Sequence, residues 1–151
     1  MSQPQQISVT DLDLPQLADV RRHLDEELNH LTNSFGQLKQ AQAKFRACIE
    51  NVAEIKPANK GKTILVPLTN SLYVPGKLSD PEHVIVDVGT GYFVQKTRPQ
   101  ATTHYTAKVA YLQTNLDTLQ EKITQKQENL NAVVGVMQAR LAAQGSGQQT
   151  Q

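Results

Sequence analysis

The chain has 151 residues, with 15 Lys and Arg against 14 Asp and Glu, a formal net charge of +1. Apolar residues make up 38% and aromatics 5%, with no Trp; an ordinary globule carries roughly 45–50% apolar residues, glycine included, so a shape with much surface and little interior is expected. No run approaches the ~18 apolar residues of a membrane-spanning helix, and near-neutrality argues against a nucleic acid partner.

The N-terminal MSQPQQ lacks the basic-then-apolar pattern of a signal peptide. Cys48, the single cysteine, forms neither an internal disulfide nor a CxxC zinc motif, which fits a reducing compartment such as the cytosol.

Helix breakers divide the chain. Pro57, Pro67, Pro75, Pro81 and Pro99 cluster in the middle with Gly61, Gly76, Gly89 and Gly91, and there is no proline between Gln16 and Lys56 or after Pro99. In the first flank Leu17, Leu24, Leu31, Leu38, Phe45 and Val52 recur every seven residues, with Leu28, Phe35 and Ile49 as a second series and Gln42 as its polar exception. Alternating steps of three and four are the period of a left-handed coiled coil. The pattern predicts a helix over 14–56, started by Asp13 and Gln16 in capping-box spacing, with Pro15 tolerated in the first turn and Pro57 ending it.

The last flank repeats the pattern at Val109, Leu116, Ile123, Leu130 and Met137, with Leu112, Leu119 and Val133, and with Lys126 and Arg140 as polar interruptions. A helix over 102–142 is expected, capped by Thr102 or Thr103, followed by a flexible tail from Gly145; residues 1–11 form the other flexible tail. Matching lengths predict an antiparallel helical hairpin. One register places Val52 beside Val109, Leu38 near Ile123 and Gln42 near Leu119.

Between the helices, over 63–97, stand four short runs: ILVPL, SLYV, HVIVDV and YFVQKT. Thr69-Asn70 and Gly89-Thr90-Gly91 turn within two hairpins, and Pro75-Gly76 with Asp80-Pro81 separates them. In the third run Val84, Val86 and Val88 share one face, and His83, Ile85 and Asp87 the other. Four such strands are too small for a core of their own. Ile64, Val66, Leu72, Val84, Val86 and Phe93, together with Leu68, Val74 and Val88, therefore need a partner, and oligomerisation through this segment is expected. The fold class is α+β, mostly α.

The strings ILVPLTNSLYVPG and EHVIVDVGTGYFVQKT resemble the α-class subunits of prefoldin, and the likeness spans about Leu12 to Leu141. That resemblance implies a hexamer of two α-type and four β-type subunits whose hairpins form an intersubunit β-barrel bearing six coiled coils. It implies ATP-independent capture of nonnative chains of the actin and tubulin class and their delivery to the cytosolic group II chaperonin. It also implies a cytoplasmic location, with a nuclear pool left open. Client contact falls to the coiled-coil tips, where Leu12, Leu14, Leu17, Val20, Val133, Val136, Met137 and Leu141 exceed the needs of one seam. The competing reading is a coiled-coil scaffold that binds folded partners.

No enzyme, cofactor or metal site is expected. Gly89-Thr90-Gly91 continues to Val94 where a dinucleotide fingerprint requires glycine, and no P-loop lysine follows. His23 and His30 are seven apart, whereas helical metal pairs stand three or four apart. Asp80, Glu82 and Asp87 suit solvated roles, and Cys48 beside Phe45 and Ile49 suits packing.

Overall fold

The structure is a computed structural model and describes residues 9–146. Its elements are a 3-10 turn at Val9–Asp11, helix α1 (Leu14–Glu54), a 3-10 turn at Pro57–Asn59, strands β1 (Thr63–Pro67), β2 (Tyr73–Lys77), β3 (His83–Gly89) and β4 (Tyr92–Thr97), and helix α2 (Arg98–Ser146). Two units divide the chain: Met1–Leu38 with Asn115–Gln151, and Lys39–Thr114. Both helices run through both units.

Asp13 begins α1 as its spacing predicts. Gln16 N–H donates to Asp13 Oδ1 at 2.8 Å, and Asp13 N–H donates to Gln16 Oε1 at 3.0 Å. Helix α2 begins earlier than expected, and Thr102 and Thr103 do not cap it. A second capping box, Thr97-Arg98-Pro99-Gln100, does so: Thr97 N–H donates to Gln100 Oε1 at 3.1 Å and Gln100 N–H to Thr97 Oγ1 at 3.4 Å. Such reciprocal bonds satisfy two donors that a helix start leaves orphaned, worth about 1 kcal/mol for the capping residue. Strand β4 thus passes into α2 without a loop. Thr103 sits inside the helix, its hydroxyl donating to Pro99 O at 3.0 Å.

At the other end, the expected tails overlap ordered backbone: residues 9–11 form a 3-10 turn, and α2 continues to Ser146. The remaining tail residues, 1–8 and 147–151, lie outside the described residues.

Every seam position of both heptad series is buried or half-buried, the polar exceptions Gln42, Lys126 and Arg140 included. In the unit Lys39–Thr114 the two helices run antiparallel. Gln42 Nε2 donates to Gln113 Oε1 at 2.8 Å, the Phe45 and Tyr105 rings lie 6.0 Å apart, and Val52 clusters with Ala101. In the other unit Lys126 pairs with Glu27, and Arg140 donates to the carbonyl of Thr10.

These contacts correct the register. Val52 meets Ala101 instead of Val109, about two helical turns away. Gln42 meets Gln113 and the carbonyl of Val109 instead of Leu119. The early start of α2 causes the shift, because residues 98–101 already lie beside the end of α1. Gln42 gains a partner for its amide by it, where Leu119 offers none.

Each hairpin is a separate two-stranded antiparallel sheet. β2 begins at Tyr73 and contains Pro75 and Gly76, which the sequence placed in a turn. Pro75 lies opposite Leu65 and Gly76 opposite Ile64. A Cβ on Gly76 would stand 3.3 Å from Val66 Cγ2, a close approach that only glycine meets without a shift. The turn of the first hairpin holds through Leu68 N–H to Leu72 O at 2.9 Å and Leu72 N–H to the Thr69 hydroxyl at 3.1 Å. In the second, Thr90 at φ 52° lies between two positive-φ glycines, and a bulge at Asp87/Gly89 is closed by Gly89 N–H donating to Asp87 Oδ1. That is hairpin-turn chemistry.

Candidate functional site

The two hairpins meet the helices differently. On β3, Val86 is only 1% exposed and packs with Val52 and Ala101, while Val84 and Tyr105 border the cluster. Arg98, the first residue of α2, fastens the same region. Its guanidinium donates to the carbonyl of Ile55 just past α1, and its N–H donates to Glu82 O at 3.1 Å. The chain therefore supplies its own partner for one face of the second hairpin. Val86 and Val84 do not wait for another subunit, which corrects their assignment as unpartnered residues.

The opposite face carries Ile85, 74% exposed, and Phe93. Hairpin β1–β2 contains no buried residue. Ile64, Val66 and Val74 are exposed on one of its faces, Leu65 and Tyr73 on the other, and Leu68 and Leu72 in its turn. Val88, Tyr92 and Val94 add to this uncovered apolar surface. Leu65, Tyr73, Ile85, Tyr92 and Val94 were missed from the sequence. The signal for them was present: ILV and VIV are unbroken apolar runs, which mark strands covered on both faces, whereas attention to alternation selects one face.

The tip residues fare unevenly. Leu17 and Val133 are buried within their unit, Leu12, Leu14, Val20, Val136 and Met137 are half-buried, and Leu141 is 56% exposed. Leu17 and Val133 thus help close the helix pair within their unit.

Few titratable groups depart from ordinary behaviour. Asp80 accepts from Glu82 N–H at 2.9 Å and lies 2.9 Å from His83 Nδ1, and these bonds hold its carboxyl below the usual range. Lys126 does the same to Glu27, by a hydrogen bond first and by charge second. Burial, with Cys48 beside it, pushes the Tyr105 phenol upward. A raised folded-state value means that the stability contributed by Tyr105 is full below about pH 10, its unfolded value, and is lost as pH rises further. A 295 nm difference titration of the protein against its Tyr105→Phe variant should therefore show a midpoint above 10; a midpoint at or below that value contradicts the burial. Among the described residues, no three His, Cys, Asp or Glu side chains converge as metal ligands, and no helix is long and apolar enough to cross a membrane.

A paired-helix hairpin that displays two short β-hairpins with uncovered apolar strands defines a class of subunit built to be completed by other chains. Comparison with known proteins agrees with that class. The family model for the prefoldin subunit matches residues 24–143, and the chain belongs to the prefoldin family. It is 44% identical over 139 residues to probable prefoldin subunit 5 of Schizosaccharomyces pombe, covering 91% of this chain and 90% of that protein. It is 40% identical over 149 residues to prefoldin subunit 5 of Homo sapiens, covering 97% of each. In three dimensions it resembles a chain of filamentous PFD from Methanocaldococcus jannaschii, with a TM-score of 0.68 and 20% identity, over 78% of this chain and 97% of that one. That last likeness concerns the fold.

Proposed function

We propose that this chain is an α-type subunit of a heterohexameric prefoldin, joined to a second α-type and four β-type subunits through an intersubunit β-barrel. The observation that carries this reading is hairpin β1–β2, apolar on both faces and buried on neither. An isolated two-stranded hairpin is marginal in water, and exposed apolar edges invite pairing. Strands from neighbouring subunits would cover Ile64, Val66, Leu68, Leu72, Val74, Val88 and Phe93, along with Leu65 and Ile85.

In this reading the complex works in the cytoplasm. It holds nonnative polypeptides of the actin and tubulin class without ATP and passes them to the group II chaperonin. Client contact begins at the half-buried tip residues Leu12, Leu14, Val20, Val136 and Met137 and at exposed Leu141. Leu17 and Val133 join only when the helix ends open locally, which helix termini do at low free-energy cost. Met137 adapts to varied surfaces, and several weak tips acting together supply avidity.

Co-expression with the other prefoldin subunits should yield a stoichiometric complex that suppresses aggregation of a denatured client without nucleotide. Deleting Met1–Val20 and Val133–Gln151 should leave assembly intact while lowering client capture about tenfold or more, as expected when one of several linked contacts is removed. Undiminished capture by the truncated complex would refute the tip mechanism, and failure to co-purify would refute the assembly reading.

A further inference from the structure

In the unit that carries the tips, Leu17 and Val133 lie between two polar links that join the helices. Farther in, Lys126 pairs with Glu27; farther out, the Arg140 guanidinium donates to the carbonyl of Thr10. Thr10 precedes Leu17 by seven residues and Arg140 follows Val133 by seven, so the outer link stands one heptad beyond both buried residues. It ties the 3-10 turn Val9–Asp11 to α2. Arg21 and Arg22 pair with Asp25 and Asp19 along α1 itself and do not span the helices. Among the described residues Arg140 meets no carboxylate, and the carbonyl of Thr10 receives its charge-assisted bond.

The turn of α2 just inside that link is intrinsically weak. Val133, Val134, Gly135 and Val136 are consecutive, and Gly135 is the only glycine of α2 before Gly145. A valine loses side-chain freedom in a helix, and a glycine loses more backbone freedom than any other residue. Packing does not demand the glycine. Gly135 is exposed, its φ is not positive, and a Cβ added there meets nothing within 4 Å. Its effect therefore falls on the local stability of the helix. The burial of Val133 and the link at Arg140 oppose that weakness.

We propose that α2 hinges at Val133–Val136 and that the Arg140–Thr10 link is an autoinhibitory clasp, which limits client capture by holding the hinge shut. The inference rests on the reading that the tips hold clients, and it adds how the chain restrains them. With the clasp closed, Leu17 and Val133 are covered. When it opens, the end of α2 beyond Gly135 moves away and uncovers both. A client that binds the open form has an apparent affinity proportional to the open fraction. Two single changes must then act in opposite directions: replacing the glycine favours the closed form, and removing the guanidinium favours the open one.

The test uses the complex assembled from full-length subunits. It reads amide exchange over Leu130–Ser146 and the concentration of complex that halves the aggregation of denatured actin. Gly135→Ala should slow that exchange and raise that concentration, each about fivefold. Arg140→Gln should quicken the exchange and lower the concentration, each about threefold. Arg140→Lys, whose ammonium still donates to a carbonyl, should lie nearer to the unaltered protein. Gly36→Ala is the control, at an exposed position of α1 where an added Cβ also meets nothing within 4 Å, and it should move neither readout. Exchange that fails to shift in opposite directions in Gly135→Ala and Arg140→Gln overturns the clasp, as does an equal effect of Gly36→Ala. If exchange shifts but capture does not, while the complex lacking Met1–Val20 and Val133–Gln151 captures poorly, the clasp alone falls. Undiminished capture by that truncated complex overturns the tip reading and the clasp with it.

Discussion

Replacing Val86 by Asp should detach the second hairpin from the helices and abolish assembly. Val86 is 1% exposed in a cluster of Val52 and Ala101, bordered by Val84 and Tyr105, and that cluster holds no cation. A carboxylate there is either ionised without a partner or forced to take up a proton, at roughly 3–5 kcal/mol, the cost of an uncompensated buried charge. Hairpin β3–β4 has only this face against the helices, and alone it is marginal. Val86→Ala, which removes two methyl groups, should cost about 2 kcal/mol and leave assembly measurable. Amide exchange across His83–Gly89 and Tyr92–Thr97 is the direct readout. Native protection in Val86→Asp would mean that the hairpin is held by something other than this cluster.

The second large effect should fall on association with no loss of the helical hairpin. Leu65, Ile85 and Phe93 are all more than 65% exposed, so replacing the three by Lys buries no charge within the chain. Circular dichroism should keep its helical signal. If neighbouring strands cover these side chains, each lysine places a charge in an apolar contact, and co-purification with the other prefoldin subunits should disappear. A triple variant that still enters the complex at full yield would place the subunit contacts elsewhere. The pair of experiments separates what the hairpins do inside the chain from what they do outside it.

Much of this arrangement is legible in the residues. The heptads from Leu17 to Val52 and from Val109 to Met137 mark the seams of both helices because a helix in contact with another repeats its buried face every 3.5 residues. Asp13 and Gln16 announce the first helix, and Gly89-Thr90-Gly91 announces a turn, because few other residue types meet those local demands. The start of α2 was legible too, since Thr97-Arg98-Pro99-Gln100 repeats the pattern of Asp13-Leu14-Pro15-Gln16. A proline two residues past a cap lies in the first turn, where its missing N–H is no loss.

The bounds of β2 follow from its pairing with β1, but chain order and local chemistry settle which segments become helix or strand. They leave open how one helix slides along the other, because successive heptads are nearly equivalent and a shift of two turns still opposes leucine to leucine. Particular meetings choose among those shifts: Gln42 with Gln113, Glu27 with Lys126, Val52 with Ala101. Which face of β3 closes against the helices, and which stays open, is likewise a matter of three-dimensional packing. Val84 and Val86 read much like Ile64 and Val66 in one dimension, and only the proximity of α1 and α2 makes the first pair interior and leaves the second uncovered.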